Sequence, residues 1–168
     1  MNLLKMSNIN NFVFINQKKN LTCILIIVSS FLFDRISKIK IINYQLNNNP
    51  IYINDFINLD LVWNIGIGFG LFSSNSNLIY NSLTVIIGGV IIFLIYLIAK
   101  STFIDKILFS LILGGALGNF YDRIIYFAVP DFIDIHYQSF HWFTFNIADI
   151  FISIGIISLI TKDLFLKK

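Results

Sequence analysis

All nine acidic residues of this chain are aspartates, and four of them, Asp122, Asp131, Asp134 and Asp149, fall where two long apolar runs are joined by a polar excursion. Two carboxylates brought together in a poorly solvated site cannot both ionise readily, so one keeps its proton while the other acts as a base. That arrangement activates water against a peptide carbonyl. Asp131 is the first candidate, because Pro130 fixes the chain before it and Phe132-Ile133 would anchor it at an interface. Asp149 is the second, because it stands at the head of an apolar helix where burial needs a reason. Asp122 precedes Arg123 and reads as an ion pair or cap. Asp134 reads as a solvated or structural acid in an amphipathic loop.

The surrounding polar residues recur at helical spacing. Gly115, Asn119 and Arg123 lie at i, i+4 and i+8, and Asn146, Asp149 and Ser153 at i, i+3 and i+7, so each set forms one stripe on a helix. The two stripes are expected to face each other. Asp34 and Lys38 are four apart on one face of an earlier apolar helix; a lone charge at mid-bilayer costs about 2.5–3.5 kcal/mol, which pairing offsets in part. Arg35 and Lys40 are expected to snorkel to the interface. Asn64 opens a run with Gly66, Gly68 and Gly70, where glycine permits a tight turn that aims the Asn side chain; taken alone, the turn reads as structural. Gly114 and Gly118 read as helix-packing glycines.

Other chemistries have less support. His136 and His141 sit in an aromatic loop without a third ligand at metal spacing, so no metal site is expected. Cys23 is the only cysteine, which excludes a cysteine cluster or an internal disulfide. Ser37 and Lys38 are adjacent, and adjacent helical residues do not face each other, so a Ser/Lys dyad is not expected there.

These residues are carried by a chain for which water is not the main solvent. Of its 168 residues, 57% are hydrophobic and 12% charged, against roughly 25% charged in a soluble domain; the mean hydropathy is +0.78. A single all-α membrane domain follows, a four-transmembrane-helix bundle with spans at 21–41, 78–99, 107–121 and 147–164. Residues 1–20 form a polar arm whose apolar successor leads into Asp34 and Arg35 rather than a cleavage site, so it reads as an uncleaved first span. Segment 43–77 mixes β-branched, aromatic and polar residues after the Asn47-Asn-Asn-Pro50 turn, which predicts a small β-rich cradle after the first helix. Basic residues gather in the arm, in the 100–106 loop and at the C-terminus, so both termini are expected in the cytoplasm, with 43–77 and 122–146 outside. The net charge of +3 is explained by this placement and not by nucleic acid. Trp63, Trp142 and Phe143 suit an interfacial belt.

Four blocks in order carry a resemblance: Asp34-Arg-Ile-Ser-Lys38; Asn64-Ile-Gly66-Ile-Gly68-Phe69; Gly114-Gly-Ala-Leu-Gly-Asn119-Phe-Tyr-Asp122-Arg123; and Val129-Pro-Asp131-Phe132 followed by Phe145-Asn146-Ile-Ala148-Asp149. Together they resemble bacterial lipoprotein signal peptidase, also called signal peptidase II. The resemblance implies an aspartic endopeptidase of the bacterial inner membrane that removes signal peptides from diacylglyceryl-modified prolipoproteins just before the lipidated Cys. It implies Asp131 and Asp149 as the catalytic dyad. Asn64, Gly66, Gly115, Asn119, Arg123 and Asn146 would be substrate-binding or supporting residues, with Asp34 and Lys38 a supporting pair. Prolipoproteins and membrane lipids would be its partners, with no cofactor, and a monomer is expected. Phe127 replaces a common family Gly, and Ile150-Phe151 replaces small residues, which bears on the lid and on packing. On the residues alone, an ion or proton path and a non-catalytic assembly factor remain open alternatives.

Overall fold

The computed structural model describes residues 3–66 and 77–166. Ile67, Gly68 and Phe69 of the second block lie outside them, as does Gly70. Among the described residues, four helices and four strands follow one another in the order α1 (Leu3–Gln45), β1 (Ile51–Asn54), β2 (Ile57–Asn64), α2 (Asn77–Lys100), α3 (Phe103–Tyr126), β3 (Val129–Tyr137), β4 (Phe140–Phe145) and α4 (Ile147–Leu166). Helix α3 is central and packs against α1, α2 and α4.

The helices follow the apolar runs but outrun the expected spans. The polar arm at 1–20 is helical from Leu3 and continuous with the first span, because helix propagation needs only one hydrogen bond per added residue once a nucleus exists. Helix α3 continues past the expected end at 121 to Tyr126. Asp122 and Arg123 are therefore helical residues and not part of a loop. Two helices, Tyr80–Lys100 and Phe103–Tyr126, are long and apolar enough to cross a membrane on length and composition. In α1 the apolar sequence is interrupted by Asp34, Arg35 and Lys38, and in α4 by Asp149 at its start and Lys162-Asp163 near its end.

Burial is inverted relative to a soluble protein. Val85, Ile92, Phe165 and Leu164 are more than 70% exposed, while Asp34, Lys38, Asp122 and Asn146 are fully buried. An apolar exterior around a polar centre is stable where the surrounding solvent is itself apolar.

The cradle expected after the first helix is one half of the observed sheet, and the other half comes from elsewhere in the chain. The sheet is antiparallel in the order β1-β2-β3-β4, so the segment after α1 supplies two strands and the segment between α3 and α4 the other two. The expectation of a loop at 122–146 is thus replaced by a β-hairpin. Asp131 pairs with Val62 across β2 and β3, and Asn64 pairs with Val129. Gln45, the last residue of α1, fixes the sheet to the bundle: its amide donates to Leu59 O at 3.2 Å and accepts from Leu61 N at 2.6 Å.

Close helix approach is built from glycine. A Cβ at Gly114 would lie 2.6 Å from Ser30 Cβ and 2.8 Å from Ile27 O, and one at Gly118 would strike the Asp34 carboxylate. The packing role expected for both glycines is the observed one. Gly115 is also a packing point, since its Cβ would lie 2.6 Å from the Ala148 carbonyl oxygen. The Gly115 position in the first polar stripe is therefore where α3 meets the start of α4.

Candidate active site

The site is organised by the first turn of α4. Helix termini leave backbone N–H groups without intrahelical acceptors, and an Asn before the helix with an acid three residues on can satisfy them reciprocally. Here Asn146 Oδ1 accepts from Asp149 N at 3.1 Å, and Asp149 Oδ2 accepts from Asn146 N at 3.1 Å. Asp34 reaches across from α1 to take a third donor, Ala148 N, at 2.9 Å. Asn146 has its amide nitrogen left over. It donates to Asp131 Oδ1 at 2.6 Å, so one side chain touches both aspartates of interest.

Two more asparagines complete the arrangement. Asn64, at the end of β2, donates through Nδ2 to Asp131 Oδ2 at 2.8 Å, while its Oδ1 accepts from Gly66 N at 2.8 Å. Asn119 donates through Nδ2 to Asp149 Oδ1 at 2.8 Å, while its Oδ1 accepts from Lys38 Nζ at 2.8 Å. In all three amides the oxygen faces a donor and the nitrogen faces a carboxylate, which fixes the amide orientation. Every oxygen of Asp131 and Asp149 accepts a hydrogen bond.

The supporting charges sit one layer behind. Lys38 Nζ lies 2.7 Å from Asp34 Oδ2 and 2.7 Å from Asp122 Oδ2. Arg35 pairs with the other oxygen of Asp122 and stacks near the rings of Tyr121 and Tyr126. Arg123 donates to the Gly66 carbonyl, and Tyr80 Oη donates to the Arg123 carbonyl at 2.9 Å. The Gly66 turn that orients Asn64 is thereby held from α3.

Asp131 is 2% exposed. Its burial, followed by the nearby Asp149 charge, pushes its carboxyl up to about 6 from 3.8, against the lowering effect of the Asn64 and Asn146 hydrogen bonds. Asp149 instead borders a cleft of about 240 Å³ lined by Phe143, Phe145, Ile150, Ser153, Ile154 and Ile157. A buried carboxyl of raised proton affinity beside one that faces a cleft is an arrangement able to supply general acid–base chemistry.

This geometry coincides with extensive similarity to known proteins. The profile described as signal peptidase (SPase) II matches residues 26–165. This chain belongs to the signal peptidase II family. The lipoprotein signal peptidase of Pelagibacter ubique (strain HTCC1062) is 51% identical over 153 residues, covering 90% of this chain and 92% of that one. That of Francisella tularensis subsp. novicida (strain U112) is 44% identical over 123 residues, covering 69% and 74%. Two solved structures described as bacterial membrane enzymes match with TM-scores of 0.69 and 0.71 at 32% and 30% identity, each covering 88% of this chain and 92% and 94% of theirs.

Set against this signal peptidase II framework, the two polar stripes do meet, through the bond from Asn119 to Asp149, and Asp34 with Lys38 is the expected pair. Ser153 is exposed and lines the cleft. One expectation is corrected. Arg35 does not snorkel but is 9% exposed and bonded to Asp122, whereas Lys40 is exposed. Asp122 is an ion pair, as expected, with Arg35 and Lys38 as its partners in place of its neighbour Arg123. Of the two readings of Asp134 the structural one holds, since it is 3% exposed and hydrogen-bonded to His141. The Asn146-x-x-Asp149 capping pattern was the available signal for the bridging role of Asn146, whereas Gln45 and Tyr80 carry no local signal for their contacts.

Proposed function

We propose that this chain is an aspartic endopeptidase that removes signal peptides from diacylglyceryl-modified prolipoproteins, cleaving before the lipidated Cys. The observation that carries the reading is Asn146, which begins α4 and donates to both Asp131 and Asp149. The family membership supports the substrate class, since the relatives described above are lipoprotein signal peptidases.

In this reading Asp131 and Asp149 are the catalytic residues and share one proton over a water. The ionised partner removes a proton from the water as it attacks the scissile carbonyl, and the protonated partner gives its proton to the carbonyl oxygen. The tetrahedral diol then collapses as the amide nitrogen takes a proton and leaves. Asn64, Asn119 and Asn146 hold the carboxylates, which lowers the reorganisation needed in the transition state. Lys38 and Arg123 are positioning residues acting through Asn119 and Gly66. Gly115 lets α3 approach the turn that carries Asp149.

All four helices cross the bacterial inner membrane in this reading, with both termini in the cytoplasm and the sheet on the outer face. Asp34, Arg35 and Lys38 of α1 and Asp149 of α4 are accommodated because they face the polar centre of the bundle. Exposed Trp63 and Trp142 belong to the interfacial rim. A substrate with acyl chains in the bilayer then presents its scissile bond at the depth of the cleft beside Asp149. The chain acts as one domain and as a monomer.

The test is cleavage by the purified chain of a prolipopeptide with and without the diacylglyceryl group, read by mass spectrometry. The expected product begins at the lipidated Cys, with the unmodified peptide left intact. Absence of cleavage, or equal cleavage of both peptides, contradicts the proposal.

A further inference from the structure

The β3–β4 hairpin holds a second cluster of chemistry-bearing side chains that the peptidase reading does not use. Along β3 the two-residue period puts Asp134 and His136 on one face. In a regular ladder the pairs Asp134 with Thr144 and Ile135 with Phe143 would bring Trp142 opposite His136. The register shifts there, so that His136 pairs with His141 instead. An inserted residue in one strand re-aims the side chains beside it. The bulge thus turns a surface aromatic away and brings a histidine to the face of Asp134 and His136.

The three side chains converge. His141 Nδ1 lies 2.7 Å and His136 Nδ1 3.4 Å from Asp134 Oδ2, and the imidazole rings stack at 5.3 Å. One ligand atom from each residue falls within 4.8 Å of the others. Zinc bonded at about 2.0–2.1 Å in tetrahedral geometry sets ligand-to-ligand edges of roughly 3.3 Å. The His136 to Asp134 separation already has that length. The shorter His141 to Asp134 contact would open by about half an ångström as the cation takes the place of the shared proton.

An independent observation points into the same spot. Asp134 Oδ1 and His136 Nδ1 are buried without a hydrogen-bond partner among the described residues, on residues that are 3% and 6% exposed. Buried polar atoms left without a partner are costly. Beside them Asn58 Nδ2 lies 3.4 Å from His136 Nε2, and Asn58 Oδ1 is likewise buried and unpaired. Exchanging the ends of that amide gives His136 Nε2–H an acceptor and leaves Nδ1 free of its proton, facing Asp134. A metal-binding histidine is oriented by such a partner on its other nitrogen.

We infer that Asp134, His136 and His141 form a binding site for a zinc-type divalent transition-metal cation, with Asn58 orienting His136 and a fourth position open to solvent. The site clips β2, β3 and β4 together, and its role is structural. Asp134 lies three residues from Asp131, so the alternation of the strand points the two carboxylates to opposite faces.

The test uses the full chain in detergent with any affinity tag removed. Zinc is titrated by calorimetry at neutral pH, and thermal unfolding is followed with zinc and with chelator. One zinc per chain and a higher melting temperature with zinc are expected. His141→Ala, at an exposed side chain, removes the contact to Asp134 and should melt at or slightly below the parent in chelator, lose the zinc-dependent rise and bind zinc at least tenfold more weakly; Asn58→Ala should weaken binding about tenfold. Absence of stoichiometric zinc in the parent chain, or undiminished affinity in His141→Ala, overturns the inference.

Discussion

Lys38 and Asn119 are in contact through a single hydrogen bond, 2.8 Å from Nζ to Oδ1, and that bond determines which end of the Asn119 amide faces Asp149. An ammonium has only donors, so it requires the amide oxygen on its side. The nitrogen is then directed at the carboxylate. Asn119→Leu keeps the approximate volume but removes both bonds. The variant is expected to remain folded, with a stability loss of about 1–3 kcal/mol, while kcat for prolipopeptide cleavage falls roughly a hundredfold because Asp149 loses its fixed orientation. Melting curves measured beside steady-state cleavage check this; unchanged kcat in a folded variant contradicts the positioning role.

The glycines of the bundle give a contrast within one residue type. At Gly118 an added Cβ strikes the Asp34 carboxylate, whereas at Gly89 nothing lies within 4 Å. Gly118→Ala is expected to destabilise by about 1–3 kcal/mol through overpacking. Gly89→Ala should be neutral or stabilising by up to about 1 kcal/mol through helix propensity. Thermal or chemical unfolding in detergent reads the difference in sign.

Phe127 caps α3 with φ 55° and ψ 22°, in the left-handed region where a side chain is strained and glycine is not. Its ring is 69% exposed, so little packing is lost on removal. Phe127→Gly is expected to stabilise the chain by about 0.5–1 kcal/mol after glycine's own entropy cost. The melting temperature should rise by about 1–4 °C. A fall would show that the exposed ring contributes more than the backbone costs.

The carboxyl of Asp131, raised to about 6, makes stability depend on pH. Between about 4 and about 6 the folded chain holds a proton that the unfolded chain has released. The contribution is therefore complete below the unfolded value of 3.8 and is lost as pH rises through about 6. Two pH units correspond to about 3 kcal/mol in order of magnitude. Asp131→Asn removes this slope, so the variant should gain stability relative to the parent as pH rises from 4 to 6.5. Parallel melting curves at fixed ionic strength give the difference directly.

Much of this arrangement could be read from residue order. The apolar runs locate the cores of the four helices, and the i, i+4 and i, i+3 spacings bring Asn119 to Asp149 because helical periodicity holds regardless of tertiary context. The hairpin at 129–145 was harder to see, since its aromatic residues mask the alternation of Asp134 and His136, and a bulge breaks the period before His141. The inward turn of Arg35 is hidden for another reason. Whether an interfacial cation snorkels or turns inward depends on a partner 87 residues away, and nothing near Arg35 in sequence announces Asp122.

The central claim is that Asp131 and Asp149 work as one proton-sharing pair. It is tested most directly by cleavage of a diacylglyceryl prolipopeptide by purified Asp131→Asn and Asp149→Asn chains, each first established as folded by its melting curve. Both variants are expected to fall by at least about a thousandfold in kcat/KM, the double variant no further than either alone. Parent-like cleavage by either folded single variant would contradict the account.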